Sequence, residues 1–160
     1  MRSHTEGQSS KSRDGYSFQQ LMHNKLKSFL DRESLDNRYK IEGALTIPCG
    51  DKTIKPDHVI RRLRDQKITV CCGSKKSFRE RWKEDDRDAM LFKYYNPDCW
   101  WVEFHGAEKD THTSEQTEKF IANIFRQASF DAIGSLACAN VNSMRDLFVN
   151  LARFLREYDG

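Results

Sequence analysis

Two short apolar runs bracket a helical stripe in the second half of the chain, and this arrangement restricts the fold more than any other feature. Cys99–Phe104 (CWWVEF) and Phe130–Ala139 (FDAIGSLACA) both have strand length. Between them Phe120, Ile121, Ile124 and Phe125 fall at helical spacing, behind Thr113 and Gln116 at capping-box separation. Parallel strands joined by a helix need a right-handed crossover. The pattern therefore predicts a sheet with helices packed on it. Functional side chains are expected just past the carboxyl ends of those strands.

The remaining elements fit the same class. Phe18, Leu21, Met22, Leu26, Phe29 and Leu30 mark a helix over 17–32. Ser143 opens a last helix whose apolar side carries Met144, Leu147, Phe148, Leu151, Phe154, Leu155 and Tyr158. Residues 39–47 and 67–72 read as strands. Pro56 suits the first turn of a helix with Val59, Ile60 and Leu63. Residues 74–88 mix both charges and read as a solvated loop or short helix. Ala89–Tyr95, Asn96-Pro97-Asp98 and Cys99–Phe104 read as a hairpin. The expected class is α/β, or α+β, with a central mixed sheet of about five strands flanked by helices.

Composition narrows the function classes. The chain has 160 residues, which suits one domain, with residues 1–15 as a polar disordered arm and 16–160 as the globular part. A net charge of +3 is too small for a dedicated nucleic-acid binder. No apolar run reaches the roughly 18 residues of a membrane span, and the start of the chain has no secretory character. The five cysteines are odd in number and two are adjacent, so free thiols in an intracellular compartment, cytoplasmic or nuclear, are expected.

His105 and Cys138 stand at the carboxyl ends of the two apolar runs. Neighbouring strands lie about 4.8 Å apart, so the two side chains are expected to meet across a cleft. An imidazole beside a thiol can take its proton and later protonate a leaving amine. Gly106 gives close backbone access, and the amides of Gly106 and Cys138 are placed to face an oxyanion.

From Ala89 to Tyr158 this order resembles the clan CD cysteine peptidases, the group of the caspases, the CHAT-domain peptidases and the self-processing domains of large bacterial toxins. The resemblance lies in a hairpin, WWVEFHG, a helix, IGSLAC and a long helix, the hairpin ahead of the His strand pointing to the CHAT and toxin-processing forms. It implies a caspase-like sandwich, His105 as general base or acid, Cys138 as nucleophile and Gly106 in the oxyanion region. The substrate would be a polypeptide, cleaved or self-processed, with no cofactor and no metal.

Other patterns lead to different classes. Trp100 and Trp101 must face opposite ways on a strand, which suits a protein-interaction domain without catalysis. The basic segment 52–83 carries Phe78 and Trp82, which suits RNA, although Glu80, Glu84, Asp85, Asp86 and Asp88 offset its charge. A helix over 56–66, three strands and a helix over 114–127 also resemble the order of double-stranded RNA-binding domains. Pro56-Asp57 ahead of the strand 67–72 resembles the metal-dependent nucleases that carry Pro-Asp and a later acidic-x-Lys. Gly73-Ser74-Lys75 stands where the acid is required, and without a second carboxylate little holds Mg²⁺. Nuclease chemistry is therefore not expected. Cys49, His58, Cys71 and Cys72 lack the spacing of a zinc site.

Overall fold

The computed structural model describes the backbone of residues 2–76, 82–106 and 114–159, and the side chains of 17–76, 82–106 and 115–159. The elements are α1 (Arg2–Arg32), β1 (Tyr39–Glu42), β2 (Ile47–Cys49), β3 (Lys52–Ile54), β4 (His58–Arg62), β5 (Ile68–Lys75), α2 (Trp82–Tyr95), β6 (Trp100–His105), α3 (Ser114–Gln127), β7 (Ala132–Ser135) and α4 (Met144–Tyr158). A five-stranded mixed sheet has the order β1-β4-β5-β6-β7, flanked by the four helices, and β2 and β3 form a separate hairpin. β4 runs antiparallel to both its neighbours, whereas β5, β6 and β7 are parallel. The expected mixed α/β class is the one observed.

Alternation along the strands sorts the core into two layers. Ile60, Val70, Cys72, Val102 and Phe104 pack with Met22, Leu26 and Phe29 of α1 and Leu147, Leu151 and Leu155 of α4. Val59, Cys71, Trp101 and Ile133 pack on the other side with Ala89 and Phe92 of α2 and Ile121 and Ile124 of α3. Trp100 and Trp101 do face opposite ways: Trp101 is buried, and Trp100 stacks on Phe154 of α4 at 4.3 Å. α4 starts where the sequence pattern places it, with Ser143 Oγ accepting from the Asp146 N–H at 3.0 Å. The backbone beyond β7 then folds back on it: the Ser135 N–H donates to the Asn142 carbonyl at 2.8 Å, and Ser135 and Ser143 form an isolated parallel bridge.

Two expected elements are replaced. Residues 58–62 form β4 rather than a helix. Adjacent Val59 and Ile60 are both buried, one in each core layer, as only a strand covered on both faces allows. The helix–three-strand–helix order of an RNA-binding domain therefore does not occur. Residues 89–95 end α2 rather than open a hairpin. Ala89 and Phe92, three apart, share the buried side while Met90 and Tyr94 are exposed. Glu84 and Asp85 in the first turn and Lys93 in the last suit the helix dipole. The charged segment 74–88 is accordingly split between the end of β5 and the start of α2, with residues 77–81 outside the described residues. α1 takes in the polar residues 2–15 as well as the apolar stripe.

Candidate functional site

The carboxyl ends of β5, β6 and β7 gather chemistry-bearing side chains on the α2/α3 face. Register sets the row: Gly73 pairs with Glu103, Lys75 with His105, and His105 with Ser135. These residues alternate in step with Cys71, Trp101 and Ile133, which face that layer. Asp57 precedes β4, opposite this end of β5, and its N–H donates to the Cys72 carbonyl at 2.8 Å. Asp85 joins from the first turn of α2.

The centre of the row is a carboxylate cluster around one ammonium, with Glu103 and Asp85 buried and Asp57 and Lys75 half-buried. Lys75 Nζ lies 3.3 Å from Asp85 Oδ2 and 3.7 Å from Asp57 Oδ2. Glu103 is fully buried, and its Oε1 accepts from the Trp101 indole N–H at 2.8 Å. Among the described residues Glu103 Oε2 and Asp85 Oδ2 receive no well-aligned hydrogen bond, their polar neighbours being each other's carboxyl and, for Asp85, the Lys75 ammonium. A buried carboxylate oxygen in that state is costly and calls for a reason.

Gly73 supplies the space. A Cβ at that position would stand 1.9 Å from Glu103 Oε1 and 2.4 Å from Asp85 Oδ2. The carboxyl of Glu103 thus fills the place that a side chain at residue 73 would occupy. Burial, and after it the neighbouring Asp85, push the Glu103 carboxyl well above the usual carboxylate range. Burial likewise raises Asp85, against the opposing pull of Lys75. Lys75 is held charged: burial alone would lower it, and Asp85, Asp57 and Glu103 together outweigh that effect.

His105 and Cys138 lie at the same edge, and the structure hangs both on Ser135. His105 Nδ1 and Ser135 Oγ are hydrogen-bonded at 2.9 Å, and Ser135 Oγ also accepts from the Ala137 N–H at 3.0 Å. Cys138 is nearly buried; burial pushes its thiol above the ordinary value, opposed by a hydrogen bond with Ser135. The two amides assigned to an oxyanion are committed within the protein. The Gly106 N–H donates to the Lys75 carbonyl at 2.9 Å, and the Cys138 N–H to the Ser135 carbonyl at 3.3 Å.

The other sequence candidates disperse. Arg61 pairs with Glu42, Arg62 with Asp65, and Lys67 with Asp98, so cations of the 52–83 segment are spent on separate ion pairs. Exposed Met90 and Tyr94 of α2 line a groove of about 640 Å³ with Lys52, Arg87 and Asp88, and none of Asp57, Asp85 and Glu103 lines it. Among the described residues no three His, Cys, Asp or Glu side chains already stand as a metal cage, and no helix is long and apolar enough to cross a membrane.

Sequence motifs missed Glu103 and Asp85. The available signal for Glu103 was a single carboxylate inside an otherwise apolar run, CWWVEF. Comparison with protein-family models, curated proteins and solved structures finds no match to this chain.

Proposed function

We propose that the protein hydrolyses a phosphodiester with a divalent cation held by Asp57 and Glu103, beside Lys75. The observation that carries this reading is the carboxyl of Glu103 in the side-chain space of Gly73. The resemblance to nucleases with Pro-Asp and acidic-x-Lys failed on one missing acid at residue 73. A parallel neighbouring strand supplies a carboxylate at that place. This departs from the expectation of a metal-free site.

The chemistry suits such a substrate. Mg²⁺ binds through one or two carboxylates plus waters and substrate phosphate rather than through a closed protein cage. Two carboxylates are therefore a sufficient set, Glu103 fully buried and Asp57 part-exposed toward solvent beside a part-exposed Lys75. A bound cation would neutralise the carboxylates and polarise a phosphoryl oxygen. Lys75, kept charged by its neighbours, would face the charge that develops on the phosphoryl oxygens. Hydrolysis consumes one water: its oxygen bonds to phosphorus, the ester P–O bond breaks, and the leaving oxygen takes up a proton. The crossovers after β5 and β6 bring the N-termini of α2 and α3 to this edge, which favours an anion there.

Titration with Mn²⁺, followed by cleavage assays on single- and double-stranded oligonucleotides, tests the reading. The expected result is Mn²⁺ binding by the native protein, EDTA-sensitive cleavage, and at least about 10-fold weaker binding in Asp57→Asn. A native protein that takes up no Mn²⁺, with or without oligonucleotide, refutes it.

A second reading, the Cys138–His105 peptidase, draws support from the hydrogen bonds that both residues share with Ser135. A thiol-reactive peptide electrophile separates the two. Burial raises the thiols of Cys49, Cys71, Cys72, Cys99 and Cys138 alike. Slow labelling without preference for Cys138 is therefore expected at neutral pH. Selective labelling of Cys138 that disappears in His105→Ala would favour the peptidase.

A further inference from the structure

We infer that His58 and Ser74, on the face of the sheet opposite the carboxylates, are positioning residues that fix Asp57 against Lys75. The inference rests on the proposal that Asp57 and Lys75 act in one site. Ser74 stands between Gly73 and Lys75 and is bound from both faces. Its N–H donates to Asp57 Oδ2 at 2.8 Å. Its hydroxyl is hydrogen-bonded to His58 Nε2, also at 2.8 Å. Asp57 and His58 are consecutive, so two bonds tie this dipeptide to one residue of β5.

Such a clamp has a geometric result. The bond from the Ser74 N–H leaves the Asp57 carboxylate little freedom to rotate. The bond from the Ser74 hydroxyl holds the backbone that carries that N–H. Lys75 follows immediately, so its stem leaves a fixed point. His58 is itself held in the α1 layer, 5.8 Å between ring centroids from His23 of α1 and edge-on to Phe104 at 6.4 Å.

The imidazole is 1% exposed, and its Nδ1 has no hydrogen-bond partner among the described residues. An apolar side chain would fill this layer without leaving a polar atom unpaired. The bond from Nε2 to Ser74 accounts for a histidine here, because that bond reaches through the sheet to the site. Outer partners of this kind, which orient ligands without touching the ion, typically set metal affinity by 10–100-fold, roughly.

Ser74→Ala removes the hydroxyl and keeps the N–H. Ser74→Thr keeps both. His58→Phe removes the bond to Ser74, and His58→Gln retains a hydrogen-bonding amide at a similar reach. Mn²⁺ affinity by calorimetry, with kcat and KM at several Mn²⁺ concentrations, provides the readout. In Ser74→Ala and His58→Phe, Mn²⁺ affinity is expected to fall about 10–100-fold, and saturating Mn²⁺ to restore most of kcat. Ser74→Thr and His58→Gln are expected to recover most of the affinity. A merely structural role would lower thermal stability without rescue by the ion. Folded Ser74→Ala or His58→Phe protein that binds Mn²⁺ like the native chain overturns the inference while leaving the proposed function intact. Absence of Mn²⁺ binding by the native protein overturns both.

Discussion

Glu103→Gln is expected to melt higher than the native protein and to lose metal-dependent cleavage by about 10³-fold or more. The two effects share one cause. Glu103 is fully buried beside Asp85, and among the described residues its Oε2 has no hydrogen-bond donor. Its carboxyl titrates above the usual range, through burial and then Asp85. Between the unfolded and folded values the folded state binds more protons than the unfolded state, so stability falls as pH rises. Gln has the same shape, keeps an acceptor for the Trp101 indole and cannot ionise. Its advantage should be absent in acid and should grow by about 1.4 kcal/mol per pH unit above the ordinary carboxylate range. Thermal melts from pH 4 to pH 8 measure it. A Gln variant that melts lower than the native chain across this range would show that Glu103 is structural. A residue that weakens the fold in this way is the mark of a site.

A carboxylate moved to the neighbouring strand should work from there. Gly73→Asp alone is expected to be inactive and poorly folded, because its Cβ would meet Glu103 Oε1 at 1.9 Å and Asp85 Oδ2 at 2.4 Å. Glu103→Ala alone removes the carboxylate and leaves the Trp101 N–H without its acceptor, so it too should be inactive. The double variant Gly73→Asp/Glu103→Ala places the acid two residues before Lys75 and removes the Glu103 clash, leaving only the end of the Asp85 side chain, 2.4 Å from the new Cβ, to turn aside. Recovery to within about 100-fold of native activity is expected, since only the outer partners of the acid differ. A folded double variant no more active than Glu103→Ala would exclude the relocated carboxylate.

These residues also show where sequence reading stops. β6, α3, β7 and α4 were legible because their apolar side chains follow one period at a time. β4 was not, because Val59-Ile60 suits a strand buried on both faces as well as a helix, and Pro56 favoured the helix. α2 was hidden by charge on its outer face and by Tyr94 and Tyr95, which favour strands by propensity and here are exposed. At the site, Asp57 and Lys75 were visible as half of a motif. The other half could not be found by counting along the chain. Glu103 stands opposite Gly73 only because β5 and β6 are parallel in one register, and that pairing is a tertiary fact. The row of His105, Ser135 and Cys138 was anticipated as an edge; the role of Ser135 at its centre was not.

The loop that returns from β7 to α4 has a bearing on association. A strand at the margin of a sheet offers unpaired amides and carbonyls to any passing chain. At β7 the protein answers this itself, through the Ser135–Asn142 bond and the bridge to Ser143. The opposite margin, Tyr39–Glu42, is short and carries the exposed Lys40, a charge that disfavours edge pairing. If copies of this chain, or a foreign strand, were to extend the sheet, they would do so at β1. A strand added there would lie along the margin of the sheet and not across the strand ends that bear the carboxylates.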